Sequence, residues 1–266
     1  MLPFIALSES LSATPLKIGE KFIYDIDVGG VYSGTATMEV AGRTQRSGVD
    51  CLVLRSTAES AAWISAFFPV KDVITSHWDP VRRRTMWNEK NLREGNYFRF
   101  YRVAFDYAVG QAHWYEKRYS GNRPRGKTGG PQRQAVWEER SGTTWMLPDQ
   151  FQDMLSAVYF ARTHSEQARA GQSFILDVYD ELKLTELKMH IHQKEELTLE
   201  VNETERTISA WRIQPFLNTT GMFQRAKGDV IVWISADENR WPLKVSAAVP
   251  LVGSVDVTLT KYIAGH

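Results

Sequence analysis

One amphipathic helix in a chain otherwise patterned for strands leaves this sequence few architectures to choose from. Between Pro148 and Arg162, the residues Phe151, Met154, Leu155, Val158 and Tyr159 recur at spacings of three and four, which aligns them on one helical face. Pro148 and Asp149 supply a start signal, and the pattern predicts a helix over about 149–163. A lone helix of that length is marginal in water, so its apolar face must be buried against another element, and the remaining sequence offers sheet.

The strand signal begins with Phe22, Tyr24, Ile26 and Val28 alternating with Ile23, Asp25 and Asp27. Gly29-Gly30 then turns the chain into a second alternating run through Ala36, Met38 and Val40. Further runs of period two cover residues 51–57, 73–78, 82–88, 97–107, 112–119, 134–139, 174–179, 187–193, 197–201, 210–215, 230–235, 243–249 and 254–260. The last is the clearest, with Val255, Val257 and Leu259 opposite Ser254, Asp256, Thr258 and Thr260. Residues 61–68 predict a short helix closed by Pro69. This density of strands implies an all-β fold: an antiparallel curved sheet forming a spiral or half-barrel, with the one main helix packed in the concavity. Residues 1–17 are expected to be a disordered tail or the remnant of a signal sequence, and residues 18–262 a single β-rich domain.

Composition supports a packed core, since 43% of residues are hydrophobic and nine Trp, ten Tyr and twelve Phe are present. A formal net charge of +1 gives no global attraction to nucleic acid, so no nucleic-acid partner is expected. Cys51 is the single cysteine and lies in the apolar run Cys51-Leu52-Val53-Leu54, where it reads as a small core residue. The short apolar start Leu2 to Leu7 has no basic residue before Lys17, which makes an incomplete or mis-started export signal. No apolar run reaches membrane-spanning length, so no transmembrane segment is expected.

Residues 121–128 satisfy the pattern of a phosphate-binding loop letter for letter, but Gly129-Gly130-Pro131 follows where a helix must begin, and a basic hairpin loop is the better reading. Residues 117–133 hold Lys117, Arg118, Arg123, Arg125, Lys127 and Arg133 with no acid. With Arg82-Arg83-Arg84, Arg93, Arg99 and Arg102 they form a candidate cationic rim, and Arg118, Arg123, Arg125, Lys127 and Arg133 are the candidates for an anionic partner. His190 and His192 share a strand face beside Lys188 and Lys194, a pattern that favours an exposed face over a metal site. No metal or cofactor is expected. Asp79, Asp106, Asp153 and Asp237 are the acids that a glycan hydrolase would need to bring together, although each reads first as a turn, strand-end or helix-start residue. Gln152, Asp153 and Arg162 would border a pocket at the helix, with Trp233 and Trp241 as aromatic lining.

Three blocks carry a resemblance: residues 148–162 with Gln152-Asp153 and Leu155-Ser156-Ala157-Val158-Tyr159, the opening Gly19-Glu20-Lys21-Phe22-Ile23-Tyr24, and residues 223–255 with Trp233, Arg240-Trp241-Pro242-Leu243 and Gly253-Ser254-Val255. Together they resemble the DUF3108 family of exported bacterial envelope proteins of unknown function. A kinship with curved-sheet periplasmic carriers of lipids and lipoproteins is suspected as well. The resemblance brings no catalytic residues. It implies an exported protein, and the aromatic-rich, strand-dominated chain without a catalytic set leads to the expectation of a periplasmic, non-enzymatic binding or scaffold protein holding a lipid, a lipoprotein-like ligand or a protein partner in the helix-plugged concavity. The alternatives are a module that docks acidic envelope polymers through residues 117–133, and an envelope glycan hydrolase.

Overall fold

The structure is a computed structural model, and it describes residues 16–120, 136–145, 147–164, 169–180, 182–217, 230–249 and 253–266. Strands β1 (Lys21–Val28), β2 (Val31–Arg46) and β3 (Val49–Ser60) lead into a single-turn helix α1 (Ala62–Ser65). The chain continues through β4 (Lys71–Asp79), β5 (Arg84–Glu94), β6 (Tyr97–Asp106), β7 (Gln111–Ser120) and β8 (Val136–Trp145) to helix α2 (Met154–His164). The remainder is strand: β9 (Ser173–Asp180), β10 (Lys183–Val201), β11 (Thr204–Leu217), β12 (Val230–Ser235), β13 (Pro242–Val249) and β14 (Gly253–Ile263).

All fourteen strands lie in one sheet of order β8-β7-β6-β5-β4-β3-β2-β1-β14-β13-β12-β11-β10-β9. Each pairs antiparallel with its chain neighbours, except that β8 and β9 do not pair and stand at the two ends of the sheet, while β1 also pairs with β14. Hairpin chemistry explains the meander locally. Gly29 and Gly30 both have positive φ, at 59° and 80°, as a two-residue hairpin turn of this hand requires. Register shifts at Ile23/Tyr24, Val40/Gly42, His77/Trp78 and Trp233/Ile234 add the local twist that lets so long a sheet curl.

The edges approach without pairing to each other. Thr144 of β8 meets the Tyr179 hydroxyl of β9 at 2.9 Å, and its hydroxyl donates to the Leu182 carbonyl at 3.4 Å. Beside β9, Gln152 adds a parallel bridge to Val178: its amide donates to the Asp177 carbonyl at 2.9 Å, and Tyr179 N–H donates to the Gln152 carbonyl at 2.7 Å. The expected curved antiparallel sheet wrapped on one main helix is thus the observed fold.

Two differences from the sequence reading have physical causes. The helix begins at Met154 rather than near 149, because Phe151 and Gln152 stay extended to reach β9 and Asp153 takes the capping position. The runs at 187–193 and 197–201 are one strand, β10. The charged triplet Lys194-Glu195-Glu196 that divides them is passed by a register shift between Ile191 and Lys194.

Helix α2 packs its Leu155 and Tyr159 onto Val40, Leu52, Leu54 and Trp78, and its Ala157 onto Val178 and Leu187. Burying such aliphatic and aromatic side chains contributes about 1.5–3 kcal/mol each, which is what holds an eleven-residue helix in place. A further core lies under Phe22, Tyr24, Leu243 and Leu259, and another under Tyr101, Val103, Phe105 and Phe151. Cys51 is buried, and burial pushes its thiol pKa up to about 11, so it is an inert core residue. Of the residues expected to form a tail, 1–15 lie outside the described residues, while Leu16 and Ile18 pack against the helix-bearing core.

Candidate functional site

The two ends of α2 carry the polar residues that the sequence marks as pocket candidates, Gln152, Asp153 and Arg162. At the N-terminal end, Asp153 is buried and its Oδ1 accepts from the Ser76 hydroxyl at 2.8 Å and from the amides of Leu155 and Ser156 at 2.8 and 3.1 Å. Its Oδ2 accepts from Thr85 Oγ1 at 2.9 Å. This is an N-cap that also ties the helix to β4 and β5. Neighbouring Gln152 accepts from Trp78 Nε1 at 3.0 Å and donates to the Arg83 carbonyl at 2.6 Å. Both side chains are spent on holding the helix start.

At the other end, the Arg162 guanidinium grips Glu20 through two bonds of 2.7 and 2.9 Å and donates to the Asn239 carbonyl at 3.3 Å. It lies over the Phe22 ring at 4.9 Å and the Tyr159 ring at 5.7 Å. Burial opposes its charge, but the Glu20 carboxylate outweighs burial and its pKa is raised. Trp241 joins this end, 4.2 Å from Tyr262 and 6.4 Å edge-on from Phe22. Trp233 packs against the same Phe22-containing core as Trp241, with its indole donating to Glu195 at 3.0 Å and Lys244 over its ring at 5.7 Å. The five candidates therefore divide into Gln152 with Asp153, Arg162 with Trp241, and Trp233, which covers the same core as Trp241 but has its own polar partners. The first two groups are separated by the length of the helix, roughly 14 Å at 1.5 Å per residue.

A second polar assembly lies on the concave face where the sequence shows only charged letters. Register places Lys90, Tyr101, Glu116 and Arg140 side by side across β5, β6, β7 and β8, with Leu92, Arg99, Arg118 and Glu138 in the next row. Glu116 is fully buried and accepts from Arg99 at 2.6 Å, with Arg118 at 2.8 Å and Arg140 also against its carboxylate. Burial would raise its pKa, yet these guanidiniums outweigh burial and hold it below the usual carboxylate value. Lys90 pairs with Asp180 and so links β5 to β9. The available signal was parity: Ala112, Trp114, Glu116 and Arg118 share one face of β7, and Ala112 is a core residue.

The cationic rim does not assemble as the sequence suggests. Arg99 lies inside the sheet because its strand position alternates with exposed Arg102, which stacks on Tyr115 at 5.3 Å. Arg84 lies 3.6 Å over Tyr107 and, with Arg82, flanks the buried Asp79. Lys117 pairs with Glu139. Arg123, Arg125, Lys127 and Arg133 lie outside the described residues, as does the phosphate-loop-like segment 121–128.

The four candidate hydrolase acids accept local bonds. Asp79 takes the amides of Val81 and Arg82, Asp106 that of Ala108, Asp153 the helix start, and Asp237 Ser235 with Asn239. His190 and His192 meet edge to face at 4.8 Å, bonding Ser173 and Gln214 respectively. Among the described residues no group of three or more His, Cys, Asp or Glu is placed to hold a metal.

His77 adds a pH-sensitive contact on the opposite face of β4. Its Nδ1 accepts from Arg46 Nε at 2.7 Å and its ring stacks on Trp87 at 4.5 Å. Burial, then the Arg46 charge, lowers its pKa to about 4. A folded-state value below that of the unfolded chain means stability is lost as pH falls from the ordinary histidine range toward 4. We expect a loss of about 1–2 kcal/mol over that interval in urea titrations, discounted for partial exposure, and His77→Gln should remove that component of the pH dependence. An identical pH profile in the variant would contradict the assignment.

Comparison with known proteins gives one family match: residues 23–260 fit the model described as protein of unknown function (DUF3108). No curated protein matches. A solved β-barrel-like protein of the unknown-function domain DUF1849 from Brucella abortus is similar in fold, with 8% identity and a TM-score of 0.51 over 93% of this chain and 98% of that one. A Bacteroides fragilis protein, described as exported and YmcC-like in fold, aligns at 6% identity and a TM-score of 0.36 over 95% of this chain and 99% of that one.

Proposed function

The chain belongs to the DUF3108 family, and from that premise we propose a non-catalytic binding or scaffold role in the bacterial cell envelope, with an apolar ligand held between α2 and β9–β10. The observation that carries the proposal is the uneven attachment of the helix. Polar clamps fix its two ends, whereas its side toward β9 and β10 is closed by Met154, Leu176 and Met189, all only partly buried around Ala157, Val178 and Leu187. Thioether side chains are unbranched and adaptable, so this seam can admit an alkyl chain without breaking either clamp. Each buried methylene of such a chain contributes about 0.8 kcal/mol. The periplasmic placement rests on the resemblance to envelope proteins. Among the described residues no helix is long and apolar enough to cross a membrane.

The polar groups at the helix support binding over chemistry, because Gln152, Asp153 and Arg162 each face several protein partners at hydrogen-bond distance. A fluorescent fatty acid should bind saturably to the purified protein. Met189→Lys should weaken it about tenfold, or ~1.4 kcal/mol, while leaving the melting temperature close to that of the parent. Absence of saturable uptake by the unaltered protein would defeat the proposal.

A further inference from the structure

Three neighbouring hairpin tips form an exposed aromatic cap that the ligand-holding role does not use. The β1–β2 tip presents Val31 and Tyr32, the segment joining β3 to β4 presents Trp63, Phe67 and Phe68, and the β5–β6 tip presents Tyr97. Phe67 is 88% exposed, an extreme value for a phenylalanine and a costly one in water.

The cap is built rather than frayed. Trp63 Nε1 donates to the Tyr32 carbonyl at 3.1 Å and Ala61 N–H to the Ser33 carbonyl at 2.8 Å, which joins the first tip to the second. Gly95 N–H donates to the Pro69 carbonyl at 2.7 Å, and Val70 bridges Glu94, which joins the second to the third. The Phe68 ring lies where a Cβ on Gly95 would be only 2.6 Å away, so Gly95 leaves room for it. Within the second tip, the amides of Ser65, Phe67 and Phe68 donate to the carbonyls of Ala61 and Ile64, and the Ser60 hydroxyl takes the Val70 amide at 2.9 Å.

Charge is distributed as a boundary. Residues 29–35, 61–70 and 95–98 contain no Asp, Glu, Lys, Arg or His, whereas Asp27, Glu59, Lys71, Asp72, Arg93, Glu94 and Arg99 stand immediately behind them. Glu59 and Lys71 at that boundary are both about two-thirds exposed. The boundary layer of a bilayer asks for no opposite charge, and this cap offers none. Uncharged tips rich in Trp, Tyr and Phe, with amides bonded internally and ionised groups held one residue back, match the demands of the interfacial layer of a lipid bilayer.

We propose that this cap docks the protein on a phospholipid bilayer, with Phe67 and Trp63 entering the boundary between headgroups and acyl chains. The docking is independent of the seam beside α2, and either can hold without the other. The test is cosedimentation of the full chain with protein-free vesicles of phosphatidylethanolamine and phosphatidylglycerol, beside vesicles of phosphatidylcholine alone. Partitioning to phosphatidylcholine alone is expected, since the cap carries no charge, and any excess on the anionic vesicles that survives the variants below belongs to the basic segment 117–133. Trp63→Ser combined with Phe67→Ser should lower partitioning by a factor of about ten to a hundred. Both positions are more than half exposed, so the melting temperature should fall by no more than a few degrees with the loss of the Trp63–Tyr32 bond, and quenching by lipids brominated on the acyl chain should fall when Trp63→Phe removes that indole.

Three results would overturn the proposal. They are failure of the parent protein to partition, partitioning unchanged in the double variant, and self-association in ultracentrifugation that the same substitutions abolish in the absence of lipid. Loss of fatty-acid uptake in Met189→Lys with vesicle binding intact would bear on the seam alone.

Discussion

Arg162→Met is expected to destabilise the protein by about 3–5 kcal/mol, the largest effect of any single substitution considered. The guanidinium is buried, grips Glu20 through both of its terminal nitrogens, and covers the rings of Phe22 and Tyr159. Removing it leaves the Glu20 carboxylate buried without its counter-ion, and the Tyr262 hydroxyl at 3.3 Å is a poor replacement for two guanidinium donors. Replacing both partners removes that imbalance, so Glu20→Gln with Arg162→Met should recover a large part of the loss, giving a coupling of about 2 kcal/mol in a double-mutant cycle. Guanidinium unfolding measures both. A single variant within about 0.5 kcal/mol of the parent would show that the pair does not clamp the helix.

Asp153→Ala should cost about 2–4 kcal/mol, because the carboxylate is at once an N-cap and the acceptor for two buried hydroxyls. Without it Ser76 loses its acceptor inside the sheet, Thr85 is left with the Ser156 hydroxyl at 2.8 Å, and the first amides of α2 lose theirs. The local signature is faster hydrogen exchange at Leu155 and Ser156. Asp153→Asn keeps one carbonyl oxygen and should restore roughly half of the loss. Equal melting of the alanine variant and the parent would rule out the structural role and return Asp153 to the list of ligand contacts.

The fold was legible because a period of two and a period of 3.6 cannot be confused over so many residues. Leu155 and Tyr159 fell on the helix face that packs on the sheet, and Gly29-Gly30 made the hairpin it resembles. Where reading failed, long-range contacts decided. Phe151 and Gln152 suit a first helical turn, but the open edge of β9 draws them into an extended bridge, and Asp153 becomes the cap instead of Asp149. The Glu116 assembly was hidden for the same reason. A carboxylate in a strand reads as solvent-facing until the register shows Arg99 and Arg140 meeting it from β6 and β8. Arg99 and Arg102 look equivalent in a list of basic residues, yet they sit on opposite faces of one strand.

The seam between β1 and β14 also sets the order in which the molecule can be made. Lys21 pairs with Ile263, and the Tyr262 hydroxyl reaches Glu20 across 242 residues of chain. During synthesis the first strand therefore waits with one ladder of amides and carbonyls bare until the last strand emerges. Closing a loop of that length comes late and slowly, and the nascent intermediate is a ribbon with a raw margin at its centre. Until then that margin stays open to pairing with any other extended chain.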